Sequence, residues 1–326
     1  MKFEKLPTSI EDQITLLRGR GMHFEDELHA KRCLESIGYY RLSAYWLPSE
    51  LIPENGETRS KKFYTGTNFD TVFALYVFDR KLRLLILEAI ERIEIHVRSR
   101  WTYHMAHDFG AHAHLNYKLF NGRLNHAEQL VRLARSVESS KETFVLHYKQ
   151  KYDDPFSPPL WVATELMTLG ELSKWFKATK ANSIKSRVGA EIGLPSKEIA
   201  EGVIESLSYV RNICAHHGRL WNRKLVKRPP WIRRYKNDLQ MESGQQPNQP
   251  ENTVYNIIVV ILHILGRQNT DSTFSTRLIE LLEGEDNESI YESMGFPRDW
   301  RSRPLFHPSP SVIESGVRLA DGVHLA

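Results

Sequence analysis

The stretch "YVRNICAHHGRLWNR" (209–223) brings an arginine, an asparagine and two histidines close together. Arg211, Asn212 and His216 have the side chains that metal-free RNA cleavage needs, in which the RNA's own 2′-hydroxyl attacks the adjacent phosphorus. A histidine can move protons near neutral pH, and an arginine can bind two phosphate oxygens at once. Because acid and base must act from opposite sides of the phosphorus, two copies around a twofold axis would complete the site. The stretch therefore suits cleavage of RNA without metal, and a homodimer is part of this hypothesis.

A predicted helix over residues 196–217 positions these side chains. Its buried face is an apolar stripe at helical spacing, formed by Val203, Leu207, Val210 and Cys214. His217 continues this stripe, which favours a structural or supporting role for that histidine. Gly218 follows, and we expect it to end the helix at the C′ position.

Asn212 and His216 are four residues apart and stack on one face of this helix. Arg211 lies about 140° from His216 around an ideal helix, so only its length would bring it to the same cleft. We therefore predict His216 as general acid or base, Arg211 on the phosphate, and Asn212 positioning the phosphate or His216. The alternative is that both histidines are ordinary polar residues near a helix C-terminus, where positive charge is favourable.

The segment after this helix is basic and carries aromatic side chains. No acidic residue occurs between Glu205 and Asp238. Cations interleaved with aromatic rings are typical of surfaces that bind single-stranded RNA. The predicted RNA-binding residues are Arg219, Arg223, Lys224, Lys227, Arg228, Arg233, Arg234, Trp221 and Trp231. The alternative is a solvated basic face with tryptophans in the core, and Trp221 fits that alternative better.

A long helix is predicted from Asp70 to about Met105, where the chain has no glycine or proline. Its apolar residues form a heptad-like stripe of Leu75, Leu82, Ile86, Ile90, Ile93 and Val97. The run "LRLLILEAI" (82–90) is apolar on nearly all sides, so we expect this helix to be heavily buried.

Two acid-before-base pairs on this helix, Asp79–Arg83 and Glu94–Arg98, are typical of helix-stabilising ion pairs. Asp79, however, falls on the buried stripe and needs a partner there, for which Arg211 is a candidate. Asp79, Arg83 and Glu94 are therefore predicted as supporting residues of the site.

The predicted fold class is all-α, a helical bundle with an N-terminal helical extension and C-terminal helices. Ser9 and Asp12 form a capping-box pattern before the first helix. Further helices are expected at about 125–150 and 160–180. The predicted segments are an N-terminal helical segment over 1–69, a core with the motif over 70–266, and a C-terminal extension and tail over 267–326.

Bulk properties indicate where the protein resides. The cysteines, Cys33 and Cys214, are far apart, and no secretory signal begins the chain, so we expect reduced thiols and a cytoplasmic protein. The longest apolar run, "IIVVILHIL" (257–265), is shorter than the about 20 residues that span a bilayer, so we expect a buried helix and no membrane partner.

Beyond the motif, several segments resemble abortive-infection proteins of the AbiD/AbiF type, within the HEPN superfamily. The superfamily motif is an arginine, a polar residue, three further residues and a histidine, which Arg211, Asn212 and His216 match. Segments in the family's order are "IGYYRLSAYW" (37–46), "LYVFDRKLR" (75–83), "IERIEIHVRSR" (90–100), "PPLWVATELMTLGELSKWF" (158–176) and "MGFPRDW" (294–300). The resemblance covers roughly residues 5–303.

This resemblance implies an all-α HEPN core and a metal-independent, dimeric endoribonuclease. It implies a toxin that acts in bacterial defence against phage by damaging host or phage RNA. Some relatives are held in check by a small structured RNA, so an inhibitory RNA is an expected partner besides the RNA substrate.

Other motifs favour different functions. Residues 16–42 have the pattern of a helix-turn-helix, which makes a non-catalytic RNA- or DNA-binding regulator the alternative function. The same pattern fits three short helices that pack on the core, and it favours that interpretation over DNA binding. His104, His107, His112 and His114 match no metal-ligand spacing, and no metal site is predicted. The "DFG" at 108–110 is found in kinases, but the chain has no glycine-rich phosphate loop and no "HRD", so a kinase is not predicted.

Overall fold

Side-chain caps determine where the first helices begin. The Ser9 hydroxyl accepts a hydrogen bond from the Asp12 backbone N–H at 3.0 Å, and the Asp12 carboxylate accepts from the Ser9 N–H, which confirms the predicted capping box. Asp26 caps the second helix by accepting the His29 N–H at 2.9 Å. Gly38, with φ of +89°, ends that helix in a backbone conformation that residues with a Cβ rarely adopt.

The computed structural model describes Lys2, Glu4 and residues 6–53, 59–242, 249–267, 273–284 and 288–307. Over these residues the chain forms thirteen α-helices and no β-strand, which confirms the all-α class. The helices are α1 (Ile10–Gly19), α2 (Glu27–Ile37), α3 (Tyr39–Trp46), α4 (Phe69–Phe109), α5 (His126–Ser139), α6 (Thr143–Lys151), α7 (Leu160–Ala163), α8 (Leu169–Ala178), α9 (Asn182–Glu191), α10 (Lys197–Ala215), α11 (Val254–Arg267), α12 (Phe274–Glu283) and α13 (Glu288–Met294).

The chain divides into two compact units, 1–82 and 83–326, and the division falls inside α4. In the first unit α2 packs against both α1 and α3. Its fully buried side chains include Ile14, Leu17, Leu42 and Trp46. The segment boundaries predicted after residues 69 and 266 stay predictions, and the tail from residue 308 lies outside the described residues.

Helix α4 is the predicted long helix, and it extends to Phe109. The stripe residues Leu82, Ile86, Ile90, Ile93 and Val97 are buried as predicted, and Leu75 is half-buried. The run 82–90 is heavily buried as expected, with Leu82, Leu85, Ile86, Ala89 and Ile90 all buried. Leu84 in the run and Ile95 beyond it are the exceptions, at 55% and 54% exposed. One face of α4 therefore reaches the protein surface, and an apolar sequence does not require a fully enclosed helix.

In the second unit α10 packs against α8 and α9, which places the motif's helix beside two others. The run at 257–265 lies in α11, where eleven side chains are buried, so the predicted buried helix is confirmed. Among the described residues, no helix is both long enough and apolar enough to span a membrane.

Candidate functional site

Helix α10 holds the motif on its last turn. Ser196 caps its start by accepting the Ile199 N–H at 3.3 Å. The predicted stripe of Val203, Leu207, Val210 and Cys214 is buried. This stripe fixes the helix in the core, so the polar residues on its other faces are held at defined positions.

The helix ends in a Schellman arrangement with His217, not Gly218, at C′. The Gly218 N–H donates to the Ile213 carbonyl at 2.8 Å, and the His217 N–H donates to the Cys214 carbonyl at 3.0 Å. His217 has φ of +57° and is exposed. The predictions that Gly218 occupies C′ and that His217 continues the buried stripe are therefore wrong, because the left-handed backbone turns His217 out of the helix.

Gly218 is needed for a close approach instead. A Cβ at this position would lie 3.3 Å from the Ile213 carbonyl oxygen and 3.6 Å from Nη1 of Arg223. The guanidinium of Arg223 therefore lies beside the turn that follows His216 and His217. A predicted RNA-binding cation thus lies beside the turn that ends the motif's helix.

His216 is the C-cap residue, and its N–H still donates to the Asn212 carbonyl at 3.0 Å. Its side chain consequently continues the Asn212 face one turn further along the helix. Both side chains are exposed. Among the described residues, the His216 imidazole makes no hydrogen bond or ion pair, so its ring nitrogens can reach a ligand.

Arg211 points to a different neighbour, the carboxylate of Glu94 on α4. Nε of Arg211 lies 3.8 Å from Oε2 of Glu94, while Nη2 of Arg98 lies 2.6 Å from Oε1 of the same carboxylate. Arg98 also donates to the Met167 carbonyl at 2.8 Å and lies 3.7 Å from Glu165. Glu94 is buried, and its close partner is Arg98, so the longer contact leaves Arg211 with donors for another anion.

The other predicted supporting carboxylate belongs to the first unit. Asp79 is fully buried and accepts the Tyr45 hydroxyl at 2.6 Å. Arg83 is buried in the second unit. Of the supporting residues, the structure therefore brings Glu94 to Arg211.

A cavity of about 660 Å³ lies beside α10, and Asn212 forms part of its wall. Glu205, about two turns before Asn212, bonds two lysines there: Lys177 at 2.7 Å and Lys227 at 2.6 Å. These hydrogen bonds, with Lys177 contributing most, hold the pKa of the Glu205 carboxyl below its usual value. The cavity is therefore a charged groove that reaches the motif, and it is called the basic groove below.

The basic segment after α10, residues 219–236, runs back along that helix. Lys227 reaches Glu205, and a Cβ at Gly202 would lie 3.2 Å from the Pro230 ring. Several of its cations bind acceptors of the protein itself. Arg219 donates to the Asn222 carbonyl, Arg228 to Glu242 and the Pro250 carbonyl, and Arg234 to the Gly193 carbonyl.

The aromatic members of the segment differ in burial. Trp221 is buried, and its Nε1–H donates to the Ile290 carbonyl at 3.3 Å, which agrees with the alternative that placed it in the core. Trp231 is half-buried. Lys224 and Arg233 are exposed, and within the described residues their side chains have no partner. RNA binding by these residues stays a prediction.

The histidines that raised the metal alternative have separate contacts. His104 Nε2 lies 3.0 Å from Glu191, His107 Nδ1 contacts the Tyr103 carbonyl, and His114 Nε2 lies 3.1 Å from the Ser157 hydroxyl. Burial lowers the pKa of His114 to about 4. Over the described ranges, no group of three or more His, Cys, Asp or Glu side chains is arranged to hold a metal ion.

Comparison with known proteins identifies a family. A family model described as "Abi-like protein" matches residues 32–222, which is more than half of the chain. The matched range contains α10, Glu94 and the Arg211–His216 motif, and it ends before most of the basic segment. No curated protein and no solved structure matches the chain.

Proposed function

The chain belongs to the Abi-like protein family, and on that premise we propose that it is a metal-independent HEPN endoribonuclease that acts in abortive infection. The observation that carries the proposal is the exposed imidazole of His216, which makes no hydrogen bond or ion pair among the described residues and lies one turn beyond Asn212, a residue of the basic groove. A proton-transfer group, a phosphate-binding cation and an anion-binding surface thereby lie near the C-terminal end of α10.

In the proposed reaction the imidazole of one His216 takes the proton of the 2′-hydroxyl as that oxygen bonds to phosphorus. The bond from phosphorus to the 5′-oxygen breaks, and a protonated imidazole gives its proton to this leaving oxygen. The products are a 2′,3′-cyclic phosphate and a 5′-hydroxyl. The guanidinium of Arg211 would stabilise the charge that develops on the phosphate oxygens.

A second copy of the chain would supply the second imidazole. Arg211 contacts Glu94 on α4, whereas His216 shares a face with Asn212, and the two side chains leave an ideal helix about 140° apart. This divergence supports a site that two copies complete around a twofold axis. The mass of the active protein in solution tests the arrangement, because an active strict monomer would exclude it.

The second candidate function is RNA or DNA binding without cleavage. The basic groove favours it, because cations that bind phosphate serve a regulator as well as a nuclease. Host growth and RNA integrity distinguish the two functions when wild type, Arg211→Ala, His216→Ala and His217→Ala are expressed in bacteria. RNA damage that disappears with His216→Ala supports the nuclease, and nucleic-acid binding by a wild type that never cleaves RNA supports the regulator.

A further inference from the structure

The basic groove has more cations than its carboxylates neutralise. Its charged lining consists of Arg123, Arg132, Lys174, Lys177, Lys227, Glu171 and Glu205. Five cations against two carboxylates leave a formal charge of +3 on the lining, and pairing of Arg132 with Glu128 on its own helix at 2.7 Å reduces this to +2. The remaining lining is rich in hydroxyl groups, from Thr168, Ser173, Ser208 and Tyr209. Cations and hydroxyl donors are the groups that bind phosphate oxygens.

Both carboxylates already have other partners. Glu171 is part of the capping box of α8, and its carboxylate accepts the backbone N–H and the hydroxyl of Thr168, each at 2.9 Å. Glu205 bonds Lys177 and Lys227. Arg123 and Lys174 are exposed, and within the described residues their side chains have no hydrogen-bond or ion-pair partner. The groove therefore holds two cations available to an anionic ligand.

The groove also has a direction. Its wall on α10 comprises Glu205, Ser208, Tyr209 and Asn212, which follow one helix face towards His216. On the facing helix, a Cβ at Gly170 would lie 3.4 Å from the Ser208 hydroxyl, so α8 and α10 approach closely beneath the groove. A chain of phosphates along this groove would thus arrive at the motif.

We propose that the basic groove binds the phosphate backbone of single-stranded RNA and leads the strand to His216, with Arg123 and Lys174 as its main free contacts. This inference rests on the proposed function for the choice of RNA as ligand. It assigns most of the RNA-binding contacts to the turn before α5, to α5 and to α8. The basic segment at 219–236 then has the smaller part in RNA binding. Lys227 is the member of that segment that joins the groove.

Binding of a short fluorescent single-stranded RNA tests the proposal in the full-length His216→Ala protein, which the proposed mechanism makes inactive. The test variant carries Arg123→Gln and Lys174→Gln in addition. Loss of two phosphate contacts flattens the plot of log affinity against log salt by about 1.4. At near-physiological salt this corresponds to about tenfold weaker binding.

The matched control removes the same charge from one exposed lysine and one exposed arginine outside both the basic groove and the basic segment, as Lys141→Gln with Arg298→Gln. In the control, we expect the salt slope to change by less than about a third of the change seen for the groove variant. Equal losses in both variants, or an unchanged salt slope in the groove variant, would overturn the groove assignment. Tighter binding of duplex DNA than of the RNA would overturn RNA as the ligand.

Cleavage by the wild-type protein is measured in parallel, so the two proposals fail separately. If the wild type does not cleave RNA but binding depends on Arg123 and Lys174, the nuclease is wrong and the groove stands. If the wild type cleaves and the groove variant binds like its parent, the groove is wrong and the nuclease stands.

Discussion

The backbone N–H of His216 donates to the carbonyl of Asn212 across 3.0 Å, so the two side chains leave α10 on the same face, one turn apart. His217, the next residue, has left the helix with φ of +57°. One peptide bond therefore separates a histidine that continues the groove wall from one that turns away from it. The two histidines should differ in mutagenesis although they are adjacent and both exposed.

His217→Gly is expected to raise the free energy of unfolding. A left-handed backbone costs a residue with a Cβ about 1 kcal/mol, and glycine avoids that cost. Urea denaturation should show a gain of this size, whereas His216→Gly should show no gain, because His216 has a right-handed backbone. A less stable His217→Gly protein would contradict the backbone argument. Loss of RNA cleavage in His217→Gly, with cleavage retained in His216→Gly, would reverse the assignment of the histidines.

Glu94→Gln is expected to slow RNA cleavage and to lower stability. The neutral amide no longer balances Arg98 and no longer holds Arg211, so a buried ion pair is broken at a cost of about 3–5 kcal/mol. Because Glu94 acts through Arg211, the fall should be in kcat more than in KM, and Glu94→Asp should recover part of it.

Glu88→Gln is the control for Glu94, since Glu88 lies on the same helix and pairs with Arg277 at 2.7 Å with about a third of its side chain exposed. A surface pair of this kind contributes about 0–1 kcal/mol. Equal effects of the two substitutions on kcat would show that Glu94 has no special relation to the site.

Glu205→Gln is expected to tighten RNA binding. The substitution removes a negative charge from the basic groove and releases Lys177 and Lys227 from their carboxylate partner. Fluorescence anisotropy should give about a threefold to tenfold gain in affinity and a steeper salt dependence. Glu198→Gln, an exposed change on the same helix, controls for net charge, and weaker binding by Glu205→Gln would argue against phosphate in the groove.

The stability of the second unit should fall below pH 6.5 through His114. The folded pKa of about 4 lies below the usual 6.5, so the unfolded chain binds the extra proton between these values. Stability is therefore complete above 6.5 and decreases towards pH 4 by about 3 kcal/mol. The cause is burial, followed by the nearby His112 and His126.

His114→Asn is the variant that checks this slope. It is expected to be less stable at neutral pH, because it removes the contact with the Ser157 hydroxyl, but to lose less stability between pH 6.5 and 4. Urea unfolding at several pH values gives both quantities. A variant with the same slope as the wild type would assign the acid sensitivity to other groups.

Local sequence patterns predicted those features of the fold that depend on residues within a single helix. The Ser9 capping box, the stripe of α4 and the stripe of α10 depend on nearby residues, and all three are present. The helices expected at 125–150 and 160–180 are interrupted at 140–142 and 164–168. These breaks depend on packing between helices, and the periodicity of one segment carries no information about that packing.

The candidate site was only partly predictable for the same reason. Arg211, Asn212 and His216 lie on one helix, so spacing alone could group them. Arg123 and Lys174 come from a turn and from α8, and the fold alone brings them to one groove. The left-handed turn at His217 was missed, because a glycine at 218 is the more common signal for C′.

Cleavage of a labelled single-stranded RNA by the purified full-length protein in chelator tests the central claim most directly. We expect the wild type to produce 2′,3′-cyclic phosphate and 5′-hydroxyl ends, and His216→Ala to slow cleavage by about a hundredfold or more. His147→Ala, which removes an exposed histidine of α6, should change the rate by less than about twofold. Cleavage by His216→Ala at the wild-type rate, or intact RNA with the wild type, would contradict the account.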